Sequence, residues 1–465
     1  MKKNLFVSYL EGIKNTTHGQ EYGKITRYFI PEFITAVILY SVPLLIDARF
    51  VAHLKSTAAY ATLGVTNTML HFIIKIAEGL SVGAIIMAGR HNGVDDYKKA
   101  GDTLSAVFWG TVMAGAFVSL ILYTGAYHIY WAHKTPPDMI VLGVPFLKTR
   151  AIGMFFTFIY FAFIGFLRGV KNTKVPMYIF IAGSVLFVFF DYVLIFGKWG
   201  FPAMQLQGSA LASVIQYASM SLMAWGYIAW SGAMKKYGIN IFTLRNLWQN
   251  LKDLFILSWP VMIDKGILAL SYLWLSRCFS PMGTSVLASF SVIKDLERFA
   301  LLPAIAFAQV ITFLASNYYG KGNWDGIKVA TKKIVFLSSG MVLSILFFCS
   351  LWPTEIIRFF DFNGDFTEFA AFAFPVISIL AFFDVLQLIL AGSLRGSADV
   401  KTVMNTRLLV SFGFFIPTAY ALSKVAMANQ VIKFVLIYSS LYIGNAFMSV
   451  IYIRRLRGDQ WQGKQ

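Results

Sequence analysis

The chain is dominated by apolar stretches that are too long and too many for a soluble core. Runs with almost no charge cover 107–123, 177–190, 334–351, 369–390 and 434–453. An α-helix rises about 1.5 Å per residue, so about 20 mostly apolar residues carry it across the hydrocarbon layer of a bilayer. A large soluble protein buries one or two such helices, not a dozen. The composition agrees: 57% of residues are hydrophobic, 17% are aromatic and only 13% are charged, far from the soluble average. The pattern predicts an all-α polytopic membrane protein. Its helices are expected at about 28–48, 57–88, 101–127, 145–166, 175–196, 207–232, 253–276, 284–316, 330–352, 369–393, 401–423 and 430–453.

A net charge of +18 would suggest nucleic acid for a soluble chain, but its distribution suggests topology instead. With the N-terminus placed inside, 26 of the 40 Lys and Arg residues fall in inner segments and 10 in outer ones. Lys75, Lys265, Lys294 and Arg298 lie deeper in the expected helices. Excess Lys and Arg on one side orients a membrane protein. Both termini are therefore expected in the cytoplasm, with an even number of spans in the plasma (inner) membrane. Anionic lipid headgroups are the expected counter-charge, and nucleic acid is not. The first 27 residues are polar, without a short apolar stretch ending in a cleavage site, so the first span is expected to direct insertion. Cys278 and Cys349 are the only cysteines and lack metal-ligand spacing.

One landmark occurs twice. Leu167-Arg168-Gly169, followed by Lys174 and Met177, returns 227 positions later as Leu394-Arg395-Gly396 with Lys401 and Met404. Ala88 and Gly93 reappear as Ala315 and Gly320 at the same offset. Solenoid units repeat every few tens of residues, so this period marks a duplicated half-molecule. The expected organisation is a tail 1–27, a six-helix lobe 28–232, a cytoplasmic linker 233–252, a second six-helix lobe 253–453 and a tail 454–465. An even number of helices per half keeps the halves in the same orientation, a parallel repeat of the kind found in secondary transporters.

Ionisable residues inside spans need a reason, because each costs roughly 2.5–3.5 kcal/mol at the bilayer centre. Asp47 ends the expected helix one, Asp191 lies inside helix five, Asp264 lies inside helix seven and Asp384 is mid-span in helix ten. Asp191 is flanked by Val188-Phe-Phe and by Tyr192-Val-Leu-Ile-Phe, with nothing basic one turn away. Burial disfavours the ionised form, so this group is able to exchange a proton or to hold a sodium ion. The alternative is a carboxyl that stays protonated and bonds a backbone carbonyl. Spacing of three puts Asp384 and Gln387 on one helix face, and allows Lys75 with Glu78, Lys294 with Glu297, and Asp295 with Arg298 to pair. No nucleophile elbow, zincin motif or Walker-type phosphate loop is present. Neither catalysis nor ATP as energy source is indicated.

Taken together, several stretches carry a family resemblance. LRGVKNTKVPM (167–177) and LRGSADVKTVM (394–404) resemble the paired loops after helices four and ten of multidrug and toxin extrusion (MATE) transporters. Pro31 at the opening of helix one, Asp47-Ala-Arg-Phe-Val-Ala at its exit, 79–93, 207–213 and 316–323 agree in the family's order. In the DinF branch, aspartates of helices one and five form the cation site of the N-terminal lobe, and a helix-six threonine adds an oxygen. The resemblance assigns these places to Asp47, Asp191 and Ser213. The chain departs from that branch at Phe187, where an asparagine is usual, and at 161–165, which lacks amides. Sodium wants several oxygen ligands, so the departures favour protons. Asp384 and Gln387 resemble the helix-ten pair of the NorM branch, whose partner glutamate in helix seven is replaced here by Leu268. Asp264, one turn earlier, either substitutes for it, neutralises Lys265, or lies with Lys265 at the headgroup level.

The resemblance implies twelve helices in two lobes around a V-shaped cavity. It implies a monomeric antiporter that exports small organic cations or drugs in exchange for protons, or sodium, by alternating access. No cofactor beyond the coupling ion is implied. The alternative within the same superfamily is a flippase for lipid-linked oligosaccharides. Flippases usually add helices or a strongly cationic cavity, whereas carboxylates in the core suit cationic cargo.

Overall fold

The structure, a computed structural model, describes residues 5–14, 22–242, 247–361, 364–458 and 461–462. Among the described residues there are twelve long helical segments and no strand. They are α1 (Tyr22–Ala52), α2 (Thr57–Gly93), α3 (Tyr97–Ala132), α4 (Pro137–Gly169), α5 (Lys174–Phe196) and α6 (Leu206–Trp230), then α7 (Leu247–Phe279), α8 (Thr284–Ala300 with Leu302–Gly320), α9 (Trp324–Leu351), α10 (Thr367–Gly396), α11 (Val400–Val410 continuing to Lys424) and α12 (Gln430–Arg457). Among the described residues, eight helices are long and apolar enough to cross a membrane, or nine when the bent pair in α8 is counted as one span. Every helix expected from the apolar runs is present. Several run further into polar sequence than the apolar stretch alone indicates. Pro31, expected at the opening of helix one, lies inside α1, which begins at Tyr22.

The chain divides into two compact units, 30–262 and 263–465, and the latter also takes in residues up to Phe29. In the first unit α4 is the hub, packed against α2, α3 and α6, while α5 packs on α6. In the second unit α10 is the hub, packed against α8, α9 and α12, while α11 packs on α12. The second set of contacts is the first with six added to each helix number.

The repeat holds at the level of atoms. A Cβ at Gly165 would lie 2.8 Å from the Ser81 carbonyl oxygen and 2.9 Å from Ala84 Cβ; one at Gly392 would lie 2.9 Å from the Ala308 carbonyl oxygen and 2.9 Å from Ile311 Cγ2. A Cβ at Gly169 would meet Ala88 Cβ at 2.9 Å, and one at Gly396 would meet Ala315 Cβ at 2.7 Å. Each partner in the second unit is the residue 227 positions after its counterpart in the first. Within a bilayer, helices associate through packing, so small residues at the crossing let the backbones approach. This contact is what the repeated Leu-Arg-Gly preserves. The turns that follow are also repeated. Lys171 and Ala398 both take left-handed backbone (φ 63° and 60°), and the amides of Asn172 and Asp399 donate back to the carbonyls of Leu167 and Leu394 at 2.8 and 2.9 Å, a Schellman closure.

Regularity is lost in the second unit. α8 bends by 47° between its two parts, where Leu301 leads into Pro303 near the start of the second part and proline removes a helix donor. α11 contains a π-helical turn over Ser411–Phe415 before Pro417. The sequence pattern had indicated continuous helices at both places. The segment expected as a linker, 233–252, includes the short helix Ala233–Tyr237 and packs on the first unit. Tyr237 Oη donates to Asn92 Oδ1 at 3.1 Å, Ser105 Oγ to the Asn240 carbonyl at 2.8 Å and Trp109 Nε1 to the Ile241 carbonyl at 2.9 Å. Its residues 243–246, with Arg245, lie outside the described residues, as do Lys2, Lys3 and Lys464 of the tails.

Gly396→Val would drive a branched side chain into the Thr312 carbonyl oxygen and Ala315. It is expected to destabilise the protein by about 1–3 kcal/mol, as overpacking does. Gly340, with nothing within 4 Å of its Cβ position, should tolerate alanine with no loss, since alanine is favoured over glycine in helices by about 0.8–1 kcal/mol. Thermal unfolding of the two variants in detergent checks the contrast; equal midpoints would contradict this close packing.

Candidate functional site

In the first unit the structure brings together α1, α4, α5 and α6 around two aspartates. Asp47 lies a little over one turn before the end of α1 and is 4% exposed; Asp191, in α5, is fully buried. Ser209 Oγ donates to Asp47 Oδ1 at 2.7 Å. Among the described residues, neither carboxylate oxygen of Asp191 has a hydrogen-bond partner. Ser209, committed to Asp47, lies near enough to act on both carboxylates, and Asp47 and Arg150 are the charged groups that act on Asp191. Arg150, on α4, donates through Nη1 to Ser213 Oγ and through Nη2 to Asn67 Oδ1 at 3.3 Å. Ser213 in turn donates to the Ser209 carbonyl at 3.2 Å. Asp47, Asp191 and Ser213 thus share one neighbourhood, and Arg150 sits in it with them.

Sequence reasoning missed Arg150 because the apolar run was read as starting at 145, which left Arg150 near a helix end among the outer cations. Pro136-Pro137 carried the missing signal. Proline favours the first helical position, and α4 does begin at Pro137, which places Arg150 well inside it.

The second unit is arranged differently. Asp384, on α10, accepts from Asn445 Nδ2 of α12 at 3.1 Å. Gln387 is buried, and its Nε2 has no hydrogen-bond partner among the described residues. Asp264 does not stand beside Asp384 as an open carboxylate: one of its oxygens accepts from Arg395 and the other from Arg407. Arg407, on α11, is the charged group that acts on Asp384. Glu297 does not pair with Lys294, which lies 3.7 Å from Asp295. Glu297 turns into the bundle and accepts from Tyr438 Oη at 2.5 Å, with Tyr442 also beside it. Asp384 and Glu297 also act on each other electrostatically. Helix eight therefore brings a second buried carboxylate into the neighbourhood of Asp384. The expected Lys75–Glu78 pair is present at 2.8 Å.

The Arg of the repeated motif has the same kind of partner in both units. Arg168 grips Glu32 of α1 in a two-pronged pair, Nε to Oε1 at 2.9 Å and Nη2 to Oε2 at 2.7 Å. Arg395 holds Asp264 of α7, the first helix of its own half. Each Leu-Arg-Gly thus ties the fourth helix of a half to its first by charge and to its second by close packing.

The family model for MatE matches residues 33–193 and 260–421, most of both halves. The chain belongs to the MatE family. It is similar to a probable multidrug resistance protein NorM of Thermotoga maritima, 21% identical over 81% of each chain. It is also similar to the probable multidrug resistance protein YoeA of Bacillus subtilis, 23% identical over 85% of this chain and 86% of that one. A crystal structure of a MATE protein in a bent conformation shares its fold with a TM-score of 0.84 and 18% identity, covering 98% of this chain and 97% of that one. The MATE fold has twelve spans in two six-helix lobes, and the twelve helical segments described above follow it.

In this MatE protein Asp264 offsets two buried guanidinium groups. Asp264→Ala would take the paired carboxylate from both in an apolar bundle, leaving Arg407 to the electrostatic influence of Asp384, so a loss of about 3–5 kcal/mol is expected. Asp264→Glu should retain most of the stability. Thermal unfolding with circular dichroism reads both; an alanine variant as stable as the parent would remove the structural role given to the triad.

Proposed function

We propose that this chain is a secondary antiporter of the plasma (inner) membrane, with both termini cytoplasmic, that exports a small organic cation while protons enter. The single observation that carries this reading is Asp191, fully buried, with no hydrogen-bond partner for either oxygen among the described residues. A buried polar group without a partner is costly, and one at the heart of a helical bundle that also contains Asp47 is suited to gaining and losing a cation. Protons suit it better than sodium, because Phe187 replaces the amide usual one turn before the helix-five aspartate. Multidrug resistance proteins among the relatives support a small-molecule cargo. The duplicated halves support alternating access between them.

The reading is tested by reconstituting the protein in liposomes with ethidium as cargo and imposing a proton or a sodium gradient separately. Proton-driven movement is expected, with sodium alone ineffective. Asp191→Asn keeps the shape but cannot ionise, so it should insert and fold normally while driven export falls to the level of empty liposomes. Driven export by Asp191→Asn, together with its loss in Asp384→Asn, would move the coupling site to the second half. Movement of lipid-linked oligosaccharide in place of ethidium would establish a flippase.

A further inference from the structure

Two buried carboxylates that act on each other electrostatically ought to recruit a cation, and the first unit already contains one. Arg150 Nη1 donates to the Ser213 hydroxyl, the oxygen that the sequence had assigned to an inorganic ion. Nη2 donates to the Asn67 side-chain oxygen. The Ser213 hydroxyl has a single hydrogen, which goes to the Ser209 carbonyl, so its oxygen serves the guanidinium. The same guanidinium acts electrostatically on Asp47, Asp191 and Tyr217.

We propose that Arg150 is the resident cation of this site and the residue that makes it select protons over sodium. The inference rests on the antiport reading for its purpose but not for its test. With both aspartates ionised, Arg150 offsets one of the two negative charges, and a single proton on Asp191 completes neutrality. A sodium ion would have to enter beside a fixed positive charge, with two of the neutral oxygens it needs already taken by that charge. Removing the guanidinium frees Ser213 Oγ and Asn67 Oδ1 alongside the two carboxylates. That leaves an oxygen set of double negative charge, chemistry fit for a monovalent metal ion.

The test reads binding rather than transport. Purified protein in detergent is unfolded thermally in sodium chloride or in choline chloride of equal ionic strength. The parent protein should show no sodium-specific shift. Arg150→Ala should gain a saturable one, as linkage to a bound ion requires, and should retain radioactive sodium on a desalting column. Arg150→Lys, which keeps the charge, should show neither, and Arg150→Ala with Asp191→Asn should lose both. Arg150→Gln serves as a second neutral variant should the alanine protein fail to fold. A sodium-specific shift in the parent protein, or none in a cooperatively folded neutral variant, overturns the proposal. If the sodium pattern appears as expected while the parent protein moves no ethidium under either gradient, only the antiport reading falls.

Discussion

A guanidinium buried among apolar helices must have a carboxylate, and that requirement organises both halves of this protein. Arg168 has Glu32, and Arg395 has Asp264. In each case the fourth helix of a half is tied to its first. Two glycines on the same fourth helix then let it approach the second helix to contact distance. Neither contact is strong evidence of stability by itself, since removing charges from water offsets much of what a buried pair gains. Their value is in register, because each motif arginine is held by one carboxylate and a glycine has one ridge it can fit.

The duplicated packing carries chemistry that is not duplicated. The first unit gathers two aspartates with one arginine and, among the described residues, leaves Asp191 without a hydrogen-bond partner. The second gives two arginines to Asp264 and sets Asp384 with Asn445, while Glu297 is held by Tyr438. Its helices are also less regular, bent at α8 and containing a π turn in α11, close after Arg407. π turns inside helices are frequent at functional sites. Two scaffolds with one contact pattern thus present different charge environments.

The spans and the duplication were legible in the sequence because both depend on patterns that one helix carries alone. Apolar runs place a helix whatever its neighbours, and the offset of 227 predicts the Gly169–Ala88 and Gly396–Ala315 contacts once the helices are paired. The ends of helices were less legible, because polar residues extend a helix without announcing it; Pro31 and Arg150 were both misplaced for that reason. Partners across helices were hidden. The i,i+3 rule sees one helix face, so it offered Lys294 to Glu297, whereas Tyr438 of α12 lies 141 residues away in sequence. Arg407 was counted as a topological charge for the same reason, although it closes a triad with Asp264.

The central claim of the proposed antiport is that cargo binding is linked to the proton on Asp191, and it predicts that binding one displaces the other. Tetraphenylphosphonium binding to the detergent-purified protein can be followed by calorimetry in two buffers of different ionisation enthalpy. The account predicts that the difference in observed heat corresponds to release of about one proton per cation bound, as linkage between the two sites demands, and that Asp191→Asn abolishes it. Binding with identical heats in both buffers, or release that persists in Asp191→Asn, would contradict it.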